Sequence, residues 1–324
     1  MRNFLKIFPL FIIIALLCSC DAPRENPLDP QNPDNEIYEL SGVVKTIGFP
    51  NNPIPGVKVY WENDNKLVYT SQDGHYQIGN IRKKNGWLRF EHADYSPDSI
   101  HIIWGNQKKI ESQSFLNTKP VLDNIDLYSI VKNRYQVNQI FEIMISTVIT
   151  DAEGSNDIDS VYFEIAALGI SNSLPNTVSN VYERKLSLLE LNITSLDEVI
   201  GHEFIIYVID ASGRVFNTGS SNLKRVIRQE INIISPLGGE IVNNPVSLRW
   251  ERFTPGFEFT YLIQISTDES PAELVWEKYN ISSGEISYQP DTTLAAGNYF
   301  WVIWCIDEFQ NRCSSKPATF TVEQ

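Results

Sequence analysis

From Leu40 to Cys305 apolar side chains return at every second position, in short runs punctuated by Pro, Gly, Asn and Asp. A two-residue period marks half-buried β-strands, because successive side chains leave a strand on opposite faces. Leu40, Gly42 and Val44 share a face, as do Val57, Val59 and Trp61, and then Leu88 and Phe90. Asn51-Asn52-Pro53, Pro55-Gly56 and Asp73-Gly74 supply turn chemistry between them, at the spacing of an antiparallel sandwich. The period returns in Phe141, Ile143, Ile145, Thr147 and Ile149, in Val161, Phe163 and Ile165, and in Phe204, Ile206 and Val208. It returns again in Val246, Leu248 and Trp250, and in Tyr261, Ile263 and Ile265. The predicted fold class is all-β: three consecutive antiparallel β-sandwich domains over residues 36–128, 129–228 and 229–324, within the size range for 324 residues. A helical turn is expected at Leu196 to Ile200, a short link between strands, where Ser195 and Glu198 match a capping box.

The N-terminus reads as an address. Arg2 and Lys6 precede an apolar run from Ile7 to Cys18, too short for a permanent membrane span and suited to a signal sequence. The run ends in Leu17-Cys18-Ser19-Cys20, which resembles a bacterial lipobox. That resemblance implies removal of residues 1–19 and lipidation of Cys20, the alternative being an ordinary signal peptide or an uncleaved anchor. The formal charge of −14 becomes −16 in the mature chain, 24 basic against 40 acidic residues. Anionic headgroups would repel such a chain, so the membrane is reached through the lipid anchor, at about 0.8 kcal/mol per buried CH₂. The same acidity, with no basic cluster, argues against nucleic-acid binding. Residues 20–35 form a tether in which Pro23, Pro27, Pro30 and Pro33 favour an extended spacer of up to roughly 45 Å. The expected place is the bacterial cell envelope, the outer membrane favoured over the inner.

Three resemblances attach to particular residues. Gly42-x-Val44, Pro53-Ile54-Pro55-Gly56-Val57-x-Val59 and Thr70-x-x-Asp73-Gly74-x-Tyr76-x-Ile78 are similar to the carboxypeptidase regulatory-like domain, a prealbumin-type sandwich. The likeness implies a folding and positioning module and no peptidase. The second block resembles bacterial immunoglobulin-like domains. In the third, Leu294-x-x-Gly297-x-Tyr299-x-Trp301-x-Ile303-x-Cys305 is similar to the fibronectin type III pattern. That pattern implies a Tyr299 hydroxyl bonded back to its corner and Trp250 in the core. The last two blocks echo each other: Val208-Ile209-Asp210-x-x-Gly213-Arg214 aligns with Cys305-Ile306-Asp307-x-x-Gln310-Asn311. Gln310 replaces a glycine, which leaves the second turn open.

Catalytic patterns are missing from the sequence. His75, His92, His101 and His202 fall in different segments, and no zinc, nucleophile-elbow or phosphate-loop motif occurs. No catalytic residue and no cofactor is assigned, and the chain is read as a non-enzyme. Asp151, Glu153, Asp157 and Asp159 offer hard oxygen donors of the kind calcium takes, although a solvated turn explains them equally. Trp61, Trp87, Trp276, Trp304 and Tyr288 are candidate sugar platforms, with core packing as the plainer account.

Two further features concern the last block. Centring a hairpin on Phe309 sets Cys305 against Cys313, so either a cross-strand disulfide or two small buried hydrophobes is expected. From Tyr299 to Ile306 both strand faces are apolar, which an antiparallel sandwich strand does not require. Phe300 and Trp304 are therefore expected to pack on a neighbouring domain or a partner protein, the alternative being cover by long neighbouring side chains. The reading favoured is a lipid-anchored envelope protein acting in binding, adhesion or scaffolding, with a protein or glycan partner. A carbohydrate-binding lipoprotein is the alternative, and an enzyme with acids assembled across domains is the third.

Overall fold

The computed structural model describes residues 37–136 and 139–323, so the signal sequence, Cys20 and the tether lie outside the described residues. The chain divides into two compact units, residues 1–118 and 119–324. No helix among the described residues is long and apolar enough to cross a membrane.

The first unit contains β1 (Tyr38–Thr46), β2 (Lys58–Trp61), β3 (Lys66–Tyr69), β4 (His75–Ile81), β5 (Gly86–Glu91), β6 (Asp98–Ile102) and β7 (Lys109–Leu116). One sheet has the order β4-β1-β7 and the other β3-β2-β5-β6. The face shared by Leu40 and Val44, that of Val57, Val59 and Trp61, and that of Leu88 and Phe90 meet between the sheets and are fully buried. Parallel pairing of β1 with β7 brings Gly42 against Ser112. A Cβ at Gly42 would lie 1.7 Å from the Ser112 carbonyl oxygen, so only glycine permits this approach.

The second unit holds β8 (Val121–Asn133), β9 (Gln139–Thr150), β10 (Ile158–Ile165), β11 (Ile170–Ser173), β12 (Asn176–Val178), β13 (Val181–Ser187), α1 (Leu188–Leu191), β14 (Glu203–Asp210) and β15 (Val215–Asn222). It continues with β16 (Ile233–Ser235), β17 (Glu240–Val242), β18 (Leu248–Trp250), β19 (Phe259–Thr267), β20 (Leu274–Ser282), β21 (Ser287–Tyr288), β22 (Gly297–Asp307), β23 (Arg312–Ser314) and β24 (Ala318–Val322). The capping box at Ser195 opens a 3₁₀ turn over Leu196–Val199, and a second box, Ser187 with Glu190, opens α1.

One ten-stranded sheet runs through this unit along β12-β13-β9-β8-β23-β22-β19-β20, with β24 on β22 and β17 on β24. It faces the sheet β11-β10-β14-β15 at one end and β16-β18-β21 at the other. The second and third blocks therefore share a sheet, joined where β23 pairs in parallel with β8: Arg312 against Ile130, Cys313 against Val131, Ser314 against Lys132. Each block keeps its own core, around Ile143, Phe163 and Phe204 in one and Trp250, Tyr261 and Trp301 in the other. Val131 belongs to the latter, while Phe141 and Val226 pack against both.

Polar groups close the joint. Asn311 accepts the Ser129 N–H at 2.9 Å through Oδ1 and donates to Asp307 Oδ2 at 3.1 Å through Nδ2. Arg225 lies 3.4 Å from Asp307 and 3.2 Å from Glu308, with its guanidinium 4.3 Å from the Phe257 ring centre. Asn133 donates to the Ser314 carbonyl at 2.7 Å. Buried polar groups hold a unique arrangement when their bonds are made, and here those bonds span the joint.

Candidate functional site

Strand β22 presents Tyr299, Trp301, Ile303 and Cys305 to the core, and Phe300, Val302, Trp304 and Ile306 to the opposite face, half-buried. The Trp304 indole donates to Gln264 Oε1 at 3.0 Å, and its cross-strand neighbour Leu262 is only 3% exposed. Gln264, a long side chain of the neighbouring strand β19, thus bonds to the outer face at Trp304. Phe300, Val302 and Trp304 form one wall of a groove of about 460 Å³, and the end of the β8–β9 hairpin, including Lys132, Arg134 and Tyr135, forms another. Lys132 is held by Glu142 at 2.8 Å, and the Lys316 ammonium sits 5.8 Å from the centre of the Tyr135 ring. Arg134 makes no ion pair among the described residues, and Tyr135 is 72% exposed. Arg134 and Tyr135 were not singled out in the sequence, since a loop arginine and tyrosine carry no periodic signal.

The other aromatic candidates lie elsewhere. Trp61 is fully buried in the first unit, which removes it as a platform. Trp87 is exposed and packs against His101, ring centres 4.9 Å apart. Trp276 is tilted on Tyr288 at 5.8 Å and donates to Asp291 at 2.8 Å, a bond that holds the Asp291 carboxyl below its usual range. Its cross-strand partner is the buried Ile265, so Trp276 stands on the face opposite Trp304.

Among the described residues, one group of acids comes close enough to share a cation: Asp151, Glu153 and Asp157, with ligand oxygens within 4.8 Å of one another. Asp159, the fourth candidate, is exposed at the start of β10 and stands outside that group. Asp151 Oδ1 accepts the Glu153 N–H at 2.9 Å, and the Asp157 carbonyl accepts the Ala211 N–H at 2.8 Å, so the loop is folded on its own backbone.

Cys305 and Cys313 face each other across β22 and β23, and their thiols are free in this structure. Burial pushes the Cys313 thiol up to about 12 and the Cys305 thiol higher still, helped by the neighbouring Cys313. The Tyr299 hydroxyl donates to the Ala295 carbonyl at 3.0 Å, the bond that the fibronectin resemblance implies, and Trp250 is fully buried.

In the first unit, the approach at Gly42 leaves Tyr76 beside Ser112, with the two hydroxyls 2.6 Å apart and burial raising the Tyr76 hydroxyl to about 12. The expected motif residues thus meet in a sandwich of three and four strands. Residues 40–125 match the family model of the CarboxypepD_reg-like domain. Within the matched residues His92 lies edge-on to Tyr95 at 5.2 Å, and the histidines gather no metal-ligand group among the described residues.

Among solved structures, the fibronectin(III)-like modules of Clostridium thermocellum CbhA are similar at 9% identity, covering 63% of this chain and 93% of that one, with a TM-score of 0.29. The FN1-FN3 domains of chicken CNTN1 cover 83% and 91% at 9% identity and a TM-score of 0.32. BcpA, the major pilin subunit of Bacillus cereus, covers 89% and 96% at 11% identity and a TM-score of 0.24. No curated protein is similar enough in sequence to count as a match.

Proposed function

We propose that this chain is a lipid-anchored protein of the bacterial cell envelope, the outer membrane favoured, whose β-sandwich modules act in non-catalytic binding, adhesion or scaffolding. The observation that carries the reading is Leu17-Cys18-Ser19-Cys20 after a short apolar run, followed at once by a proline-rich spacer. A leader, an anchoring cysteine and a spacer in that order hold a folded body away from a membrane. Metabolic labelling with a fatty acid tests the anchor: the wild-type chain takes up label and Cys20→Ala does not. Label retained in Cys20→Ala rejects the assignment. A carbohydrate-binding role is the second reading, favoured by the aromatic and cationic groove on β22.

A further inference from the structure

We propose that the groove between the outer face of β22 and the end of the β8–β9 hairpin binds a carboxylated saccharide, with Trp304 and Phe300 as its stacking surface and Arg134 as its carboxylate ligand. The inference rests on the binding role proposed above and names the ligand class.

Size, charge and backbone accounting lead to it. A groove of about 460 Å³ accommodates a ligand of one or a few sugar rings. In a chain of formal charge −14, its lining includes Lys132 and Arg134 and no carboxylate. Glu142 neutralises Lys132 at 2.8 Å, which leaves Arg134 to receive an anion. A guanidinium fits a carboxylate with two parallel hydrogen bonds. The walls from Phe300, Trp304 and Tyr135 are apolar planes, which suit the CH face of a sugar ring. Trp304 is already oriented, tied to Gln264 and backed by Leu262, so little side-chain freedom is lost on binding.

The same geometry disfavours a peptide. An extended peptide gains its affinity by adding a strand to a free sheet edge. Here β22 is paired with β19 on one side and with β23 and β24 on the other, while β8 is paired with β9 and β23. The floor offers side chains and no unpaired backbone ladder, and saccharide hydroxyls need only the former. Gln136 and Ser314 line the groove as such partners.

The test uses the full-length mature chain in detergent, titrated calorimetrically with three probes: a galacturonate trimer, the neutral galactose trimer and a hexaglutamate peptide. The galacturonate trimer is expected to bind, more weakly at high salt, and the other two to bind at least about tenfold more weakly. Arg134→Gln and Tyr135→Ala, both at exposed positions, should leave the melting temperature unchanged. Arg134→Gln should weaken the galacturonate trimer about tenfold, and Trp304→Ala should weaken both saccharides. Equal affinity for the neutral trimer with no effect of Arg134→Gln overturns the carboxylate assignment. Tighter binding of hexaglutamate overturns the saccharide, and no binding of the galacturonate trimer overturns the proposal. Fatty-acid labelling of the same preparations separates the two readings: an empty groove with normal labelling leaves the anchored protein standing, and binding without labelling removes the anchor alone.

Discussion

Gln310 holds a φ of 68°, and Gly213, at the matching place in the other acidic hairpin, holds 80°. Around both, an aspartate Oδ1 accepts two backbone N–H groups: Asp210 from Ser212 at 2.9 Å and Arg214 at 2.8 Å, Asp307 from Phe309 and Asn311 at 2.9 Å each. The two turns are thus the same turn, which the missing glycine concealed in the sequence. A side chain in the left-handed region costs about 1 kcal/mol that glycine does not. Gln310→Gly should therefore raise stability by up to about 1 kcal/mol, less the entropy glycine returns to the unfolded chain, and Gly213→Gln should lower it by about 1 kcal/mol. Denaturant unfolding measures both, and a loss of stability in Gln310→Gly would contradict the strain argument. Asp307 also carries a pH dependence. Burial raises its carboxyl above the usual 3.8, against the lowering effects of Asn311, the Phe309 N–H and Arg225. A raised folded value means the stabilising contribution is complete below the unfolded value and is lost as pH climbs through the folded one. The stability of wild type relative to Asp307→Asn should accordingly fall as pH rises from about 3.8. A difference that stays constant or grows would show that Asp307 is not the titrating group.

Strand β22 shows what a strand-level reading can reach. Its alternation placed Tyr299, Trp301, Ile303 and Cys305 inward, and those side chains are buried. The Tyr299 hydroxyl bond to Ala295 is a neutral bond at a mostly buried corner, so Tyr299→Phe should cost about 1 kcal/mol in denaturant unfolding. An unchanged midpoint would mean the bond only replaces one to water. The cysteines of β22 and β23 give a second expectation. Flanking bonds, Asp307 N–H to Asn311 at 3.0 Å and Ser315 N–H to Ile303 at 2.8 Å, set Cys305 and Cys313 at a directly opposed, hydrogen-bonded pair of the ladder. In an oxidising envelope we expect that pair to form a disulfide worth about 2 kcal/mol. Raised thiol values suppress the thiolate that exchange requires, so the bridge should close before the core does. Two free thiols recovered from unreduced, unfolded mature protein would reject it. Local signals of this kind were legible: the capping box at Ser195, the hairpin register about Phe309 and the inward rows all depend on neighbours in sequence. The Ser187 box is equally present as Ser-Leu-Leu-Glu, but no Gly or Pro separates it from strand β13, so nothing in the sequence marks a break there. The joint between blocks was not legible, since Ser129 and Asn311 are 182 residues apart and a polar pair at that separation has no period.

At the scale of the whole molecule, the shared sheet changes what counts as a unit that can fold. A cut between residues 228 and 229 follows the sequence blocks, yet it removes β8 from the edge of β23. The fragment 229–324 would lose Val131 from its core and the Ser129 N–H bonded to Asn311. It would also lose Arg225 beside Asp307, leaving a carboxyl with a fully buried side chain without its cation. Stranding a buried charge in this way costs about 3 kcal/mol, and the unmade bond at Asn311 adds about 1 kcal/mol or more. A domain of that length has only about 5 to 15 kcal/mol in total, so the fragment should melt well below the unit from which it is cut. Residues 119–324 should instead unfold in a single transition, because the ten-stranded sheet and the Ser129-Asn311-Asp307-Arg225 chain bind its two cores together. The check is calorimetry on both fragments, with Asn311→Ala in the longer one. Removing that side chain should lower the melting temperature and open a second, separate transition as the cores uncouple. If residues 229–324 melt as high as residues 119–324, or Asn311→Ala leaves the transition single and unshifted, the joint is no more than an incidental contact between two independent sandwiches.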